Sequence, residues 1–227
     1  MSKYFQILNQ GGFFMYPILL CSIIGLAITV ERAFFLFFKL RLNSKEFVSK
    51  IAHAVEGGHV QRALDYCNQY LYHPLAKVLS AGLLKGNRGD KEIQGAMEGA
   101  YLEAAPVIQK RTGALSMLAN VSTLLGLLGT IQGLIMAFRG VTAADAALKQ
   151  EILAKGIAVA MFTTFFGLVV AIPCLVAYYM LVNRQNLILD SIQFGANQVM
   201  NVVSASNRES RTATLKRVAG TEQGRRS

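Results

Sequence analysis

The sequence predicts an all-α integral membrane protein with three transmembrane helices and long cytoplasmic helical extensions. Of its 227 residues, 53% are hydrophobic and only 16% are charged, which is too apolar for an ordinary soluble domain. Three apolar stretches are each long enough to cross a hydrocarbon core of about 30 Å at about 1.5 Å per residue. Between them, helix caps and helix stops indicate helices.

Charged residues divide the chain into eight predicted segments. The positive-inside rule orients them, because Lys39, Arg41, Lys45 and Lys50 follow the first span at once and place residue 39 onward in the cytoplasm. The segments are an N-terminal periplasmic lead (1–12), transmembrane helix 1 (13–38), a cytoplasmic helical domain (39–111), transmembrane helix 2 (112–138), a periplasmic loop (139–154), transmembrane helix 3 (155–183), a cytoplasmic helical extension (184–203) and a basic disordered tail (204–227).

The cytoplasmic domain is predicted to be helical throughout. Caps and stops predict helices over 43–56, 60–71 and 75–84, the second of them ending before His73-Pro74. A longer helix starts at the N-cap residue Asp90 and meets no firm stop before Gly140. We expect Pro106 to kink this helix rather than end it, so that the second span projects into the cytoplasm.

The second span carries two adjacent stripes at about 100° per residue. Gly126, Gly129 and Gly133 form one narrow arc, and glycines allow another helix to approach closely. The neighbouring arc contains Ser116, Asn120, Thr123, Leu127 and Thr130. These hydroxyls and amides serve either ordinary helix packing or a wet, polar seam, and the stripe by itself leaves both interpretations open.

The third span has a second small-residue face, able to meet the first within or between subunits. Its members are Gly156, Ala160, Thr163, Gly167, Ala171 and Cys174, with Thr164 at the edge. Near the inner end of the first span, Glu31 and Arg32 form a juxtamembrane charge pair that can bind neighbouring charges or snorkel to the interface.

Catalytic, metal-binding and nucleic-acid-binding functions find no support in the sequence. The net charge of +10 lies mostly after the first span and in the tail, and no aromatic-basic module accompanies it. No phosphate loop or nucleophile elbow is present, so we expect neither an enzyme nor a bound cofactor. His53, His59 and His73 lack metal-ligand spacing, and we expect Cys67 and His73 to be solvated or half-buried rather than metal ligands. The three cysteines predict no disulfide framework.

A proton path would need a carboxylate from another polypeptide. Hydroxyl groups such as those of Thr130 and Thr164 do not titrate near neutral pH, although they can order water or bind a carboxylate. The second and third spans contain no Asp or Glu, and Glu31 lies near the inner end of the first.

Three motifs in order resemble the MotA/TolQ/ExbB proton-channel family. They are MYPILLCSIIGLAITVER (15–32), LLGLLGTIQG (124–133) and GIAVAMFTTFFGLVVAIP (156–173), and the likeness covers about residues 11–203. Three spans with an outside N-terminus resemble the ExbB/TolQ branch rather than the four-span MotA branch. In two positions the chain departs from its relatives: Val159 replaces a frequent Glu, and Thr123 replaces a frequent Pro.

The resemblance implies a subunit of the bacterial inner membrane that forms a homo-oligomeric ring of five. Such a ring encloses single-span partners of the ExbD/TolR type, whose membrane Asp carries the proton, and a TonB/TolA-like protein is a further partner. Thr130 and Thr164 fall on the positions of the family's pore-facing threonines, and Thr123, Asn120 and Thr163 are further candidates for the pore lining. The driven process, whether nutrient uptake, envelope maintenance or motility, is left open.

Two classes of function therefore compete. The first is a channel subunit that couples proton flow to mechanical work at the envelope. The second is a non-conducting membrane scaffold that uses the same small-residue faces only for packing. A solute transporter is disfavoured, because the spans are few and form no inverted repeat.

Overall fold

The computed structural model describes residues 12–143 and 148–223, and all regular structure within them is helical. The predicted fold class is confirmed. The helices are α1 (Met15–Phe34), α2 (Ser44–Glu56), α3 (Val60–Gln69), α4 (Pro74–Leu84), α5 (Asp90–Gln109), α6 (Thr112–Ala143) and α7 (Lys149–Gln223), with a π-helical turn (Phe35–Lys39) following α1.

As predicted, three segments of the chain contain a helix long and apolar enough to cross a membrane: Met15–Glu56, Asp90–Thr142 and Lys149–Arg208, of which the first two each include more than one helix. The chain divides into two compact units. The membrane unit comprises Met1–Phe38 and Gln109–Asn183, and the second unit comprises Lys39–Ile108 and Arg184–Ser227.

In the membrane unit, α1 packs against α6 and α7 through small side chains. A Cβ atom built on Gly25 of α1 would lie 2.8 Å from the Cys174 sulfur of α7. Ala119, Ala171 and Cys174 form a buried cluster beside this glycine. Because these side chains are small, the three helices approach one another closely, which is how helices associate in lipid.

The predicted continuous helix from Asp90 to Gly140 is wrong, because it is interrupted at Lys110 and Arg111. Pro106 stays inside α5, and the break comes four residues later. Arg111 has φ +64°, in the left-handed region that costs a non-glycine residue about 1–3 kcal/mol. Its guanidinium Nη1 contacts both carboxylate oxygens of Glu31, at 2.7 and 2.8 Å. The left-handed residue separates α5 from α6 at this ion pair.

In the second unit, α2, α3 and α4 form a small core together with the distal part of α7. Their apolar faces bury Phe47, Ile51, Cys67 and Leu75 almost completely. Gly195 of α7 lies against this core, since a Cβ atom there would be 2.9 Å from a Leu75 methyl group. The turn between α3 and α4 is longer than predicted, because α3 ends at Gln69 and not at residue 71.

Cys67 and His73 are fully buried, at 0% and 1% exposure, and not half-buried as expected. Burial raises the pKa of the Cys67 thiol to about 12. It also lowers the pKa of His73 below its ordinary value, although a hydrogen bond to the Leu40 carbonyl partly opposes the shift. The His73 Nδ1 accepts a hydrogen bond from the Leu75 amide at 3.2 Å and so caps α4. His73 therefore links Leu40 to the start of α4.

Helix extends further into two predicted irregular segments. The tail, expected to be disordered from 204, is helical to Gln223, and Asn207 donates a hydrogen bond to the Gly86 carbonyl at 2.7 Å. That contact and the Arg208–Asp90 pair at 3.8 Å extend the ordered helix beyond Val203. In the predicted loop 139–154, α6 continues to Ala143 and α7 begins at Lys149. Most of the predicted lead (1–11), and residues 144–147 and 224–227, lie outside the described residues.

Candidate functional site

The glycine stripe of α6 meets the small-residue face of α7 within one chain. A Cβ atom on Gly126 would lie 3.2 Å from the Thr164 Cα, and one on Gly133 would lie 2.8 Å from the Ala160 nitrogen. All six residues predicted for helix packing lie at this contact: Gly126, Gly129, Gly133, Gly156, Ala160 and Gly167. The two faces pack against each other within one chain.

Several of these contacts leave no room for even one methyl group. On Gly156, a Cβ atom would lie 2.9 Å from the Gly133 carbonyl oxygen, and on Gly167 it would lie 2.8 Å from the Ser122 carbonyl oxygen. Backbone atoms cannot rotate away as side chains can. Glycine is therefore required here by close approach and not by backbone conformation.

Thr164 links the two helices at this contact. Its Oγ1 donates to the Gly126 carbonyl of α6 at 3.2 Å and lies 3.4 Å from the Ala160 carbonyl of its own helix. Both distances exceed the roughly 2.7–2.8 Å typical of a hydroxyl–oxygen bond. The hydroxyl proton of Thr164 is thus shared between two long hydrogen bonds.

Thr163, a further candidate for the pore lining, lies inside the contact between α6 and α7. It is fully buried, its methyl group packs on Gly129, and its Oγ1 donates to the Val159 carbonyl at 2.8 Å. Adjacent helical residues point about 100° apart, so only one of Thr163 and Thr164 can lie at the edge of the contact. Thr163 is part of the helix packing.

The remaining polar candidates lie on α6 outside the sealed contact. Thr130 is half-buried and donates to the Leu127 carbonyl at 2.6 Å, and the exposed Thr123 donates to the Ala119 carbonyl at 3.0 Å. Asn120 is exposed on the same stripe, three residues before Thr123. These three side chains therefore remain accessible along one side of α6.

In each of these threonines the hydroxyl proton is donated to a backbone carbonyl. A hydroxyl group that donates in this way keeps its two lone pairs as hydrogen-bond acceptors. Thr130 and Thr164 can therefore accept a hydrogen bond from water or from a protonated carboxyl group. Neither side chain can hold the proton itself near neutral pH.

Ser122 is a polar residue at this contact that the sequence reasoning did not single out. It is fully buried, and its hydroxyl has no hydrogen-bond partner within the described part of the chain. Its spacing in the sequence indicates this position, because Ser122 precedes Gly126 by four residues and so extends the glycine stripe by one helical turn.

The juxtamembrane charges occupy two different environments. Glu31 and Arg111 form an ion pair with both side chains about half exposed. Arg32 is 5% exposed, with its Nη2 3.9 Å from Glu31 and its guanidinium carbon 5.4 Å from the centre of the Phe35 ring.

Over residues 12–143 and 148–223, no group of three His, Cys, Asp or Glu side chains is placed to hold a metal ion.

Three apolar helices, two of them joined by a contact of small residues, define a multi-pass all-α membrane protein. Residues 69–193, more than half of the chain, match the MotA/TolQ/ExbB proton channel family. The chain belongs to that family.

Individual relatives agree with this assignment. The chain is 30% identical over 190 residues to a protein of Methanothermobacter thermautotrophicus named as a putative biopolymer transport protein ExbB homolog, covering 83% of this chain and 66% of that protein. It is 30% identical over 174 residues to biopolymer transport protein exbB1 of Vibrio cholerae, covering 74% of each. It is 40% identical over 81 residues to the Tol-Pal system protein TolQ of Haemophilus influenzae, covering 36% of this chain and 35% of that protein.

Proposed function

We propose that this chain is the channel-forming subunit of an ExbB/TolQ-like motor that uses the proton motive force to drive work at the cell envelope. The proposal depends above all on the hydrogen bonding of Thr130 and Thr164. Both donate to backbone carbonyls and keep acceptor lone pairs inside spans that contain no carboxylate.

The titrating group is supplied by a partner. α6 and residues 152–189 of α7 contain no Asp or Glu. The partner is a single-span protein of the ExbD/TolR type with a membrane Asp, enclosed by a homo-oligomeric ring of five copies of this chain. A TonB/TolA-like protein transmits the output, such as energised outer-membrane transport.

Thr164 is the better placed of the two threonines to respond to that Asp. A carboxylate needs a hydrogen-bond donor, whereas a protonated carboxyl group needs an acceptor. The Thr164 hydroxyl can turn from its two long bonds at 3.2 and 3.4 Å towards a carboxylate at little cost. Thr130 would have to give up a bond of 2.6 Å. Thr123 and Asn120 extend the same polar path along α6.

In this proposal the chain spans the bacterial inner membrane with its N-terminus periplasmic and its C-terminus cytoplasmic. The support is the cluster of Lys39, Arg41, Lys45 and Lys50 directly after the first span. With three crossings, the second unit and the end of α7 then lie in the cytoplasm.

A non-conducting scaffold is the second candidate, and one observation favours it. The glycines are fully used by the contact between α6 and α7, and the threonine protons are satisfied by backbone carbonyls. Packing alone would account for these features. Co-purification of a single-span protein with an intramembrane Asp separates the channel from the scaffold.

The decisive variants are Thr130→Val and Thr164→Val, because valine keeps the shape of threonine and removes the hydroxyl. Losing one buried hydrogen bond costs about 1–3 kcal/mol. On a transfer barrier this is a roughly tenfold to hundredfold loss of proton-driven output, and we expect the larger loss at Thr164. Proton uptake by proteoliposomes containing the chain and its partner measures it.

Matched controls accompany these variants. Thr164→Ser keeps the hydroxyl and should retain most of the activity, and Gln132→Leu, on the opposite side of α6, should be mild. Oligomer size and partner binding must stay unchanged. Wild-type proton uptake by both valine variants would favour the scaffold.

A further inference from the structure

A groove lies beside the contact between the end of α6 and the beginning of α7, inside the membrane unit. Its volume is about 210 Å³, and of the seven residues that line it six are apolar. The seven are Gly133, Met136, Ala137, Ile152, Lys155, Gly156 and Val159. The groove is therefore an apolar surface with a single cation, the ammonium group of Lys155.

The groove is open because small residues form its floor. A Cβ atom on Gly133 would lie 2.9 Å from the Gly156 carbonyl oxygen, and one on Gly156 would lie 2.9 Å from the Ala137 Cα atom. The two backbones are thus in contact, and these residues have no long side chain to fill the space beside them. Met136, which is exposed, forms one wall of that space.

The position of the groove along both helices places it at the edge of the hydrocarbon layer. The uncharged stretch of α6 ends at Arg139, and that of α7 begins after Lys155. At about 1.5 Å per residue, Gly133 lies about 9 Å further into the span than Arg139, and Val159 lies about 6 Å further in than Lys155. The groove therefore leads from the headgroup layer into the hydrocarbon layer.

Lys155 lies at the headgroup end of this groove, and its side chain is exposed. A lysine can lay its methylene groups along an apolar surface and extend its ammonium group into the headgroup layer. The nearest carboxylate in the sequence, Glu151, comes one turn earlier and so lies on the aqueous side of Lys155. The chemistry of this end suits a phosphate group.

The size of the groove suits part of a lipid chain. At about 30 Å³ for each water-sized group, it holds about seven heavy atoms. A helix, with a diameter of about 10 Å, is too wide for it. Water is a poor occupant, because an apolar surface offers it few hydrogen bonds.

We infer that this groove is a phospholipid site, in which one acyl chain lies along the groove and the phosphate of the same lipid binds the Lys155 ammonium group. The occupant combines the two chemistries that the groove presents, an apolar floor in the hydrocarbon layer and a cation in the headgroup layer. The inference depends on the membrane-spanning fold and not on proton conduction. The bound lipid would cover the exposed side of the contact between α6 and α7.

Native mass spectrometry of the full chain in mild detergent, titrated with phosphatidylglycerol, measures the affinity of the tightest-bound lipid. Lys155→Gln removes the cation, and Lys149→Gln removes the same charge from an exposed position of α7 outside the groove. Met136→Trp fills the groove with a large ring, and Ile135→Trp makes a similar change at the exposed neighbouring position. The two tests are independent, so the misfolding of one variant does not decide the outcome.

We expect Lys155→Gln to weaken binding about fivefold, the factor that one basic residue contributes near an anionic lipid surface. Met136→Trp should weaken it at least as much, and both controls should bind like the wild type. Equal affinities of Lys155→Gln and Lys149→Gln would overturn the phosphate contact, and equal affinities of the two tryptophan variants would overturn the placement of the acyl chain. A change in oligomer size without a change in lipid affinity would mean that a second copy of the chain covers the groove, which also overturns the inference.

Discussion

The contact between α6 and α7 can be tested with a single methyl group, in the variant Gly133→Ala. The added Cβ atom would lie 2.8 Å from the Ala160 nitrogen and 2.9 Å from the Gly156 carbonyl oxygen. Distances under 3.0 Å to backbone atoms require one helix to move. We expect the variant to loosen the packing of α6 on α7 within the chain.

The expected size follows from two opposing effects. Overpacking a close contact costs about 1–3 kcal/mol. Replacing glycine by alanine in a helix contributes up to about 1 kcal/mol in the other direction. The net loss in the free energy of unfolding for Gly133→Ala should therefore be at most about 2 kcal/mol, with the glycine term near 1 kcal/mol.

The variant Gly113→Ala is the matched control, since it makes the same change in the same helix. Nothing lies within 4 Å of the Cβ atom it would add. Its free energy of unfolding should therefore stay level or rise slightly. The difference between the two variants measures the overpacking cost alone.

Titration with a denaturing detergent, followed by far-UV circular dichroism at several protein concentrations, measures both variants. A loss inside the subunit does not depend on protein concentration, whereas a loss at an interface between subunits does. Equal stability of Gly133→Ala and Gly113→Ala would refute the close contact. A loss that disappears at high protein concentration would show that the glycines face another subunit.

Three further predictions concern charge and topology. Glu31→Gln should cost less than about 1 kcal/mol, because the pair with Arg111 is about half exposed, and a double-mutant cycle should give a coupling energy of that size. Burial lowers the pKa of His73 in the folded state, so the unfolded state binds more protons below about pH 6.5. The free energy of unfolding should therefore fall as the pH drops from about 7 to about 5. The variant His73→Asn should flatten this pH profile. Cysteines introduced at 142–150 should react with a membrane-impermeant reagent in intact cells, and those at 45–100 should not. Labelling of residues 45–100 from outside would show that the topology is the reverse of the one predicted.

Several features of the fold could be predicted from the sequence because they depend on local properties of the chain. Apolar length alone predicts three spans, and the break at His73-Pro74 predicts where α4 begins. The tail shows the limit of this reasoning. Its composition indicates disorder, but Asn207 and Arg208 reach Gly86 and Asp90, which lie far away in the sequence.

The interruption at Arg111 could not be predicted for a related reason. Pro106 is the strongest local sign of a disturbed helix in that region of the sequence, and it remains within α5. The left-handed conformation of Arg111 accompanies an ion pair with Glu31, which is 80 residues away in the chain. A helix pattern contains no information about such a partner.

The small-residue faces of α6 and α7 follow from the sequence without any structure, because a period of about 3.6 residues places them on one side of each helix. Their pairing within one chain, with Thr163 sealed and Thr164 at the edge, becomes visible only in the folded molecule. The rotation and the antiparallel alignment of two helices depend on how both pack together, and neither helix encodes them alone. A difference of one residue, about 100° around the helix, then decides which hydroxyl is buried and which remains available.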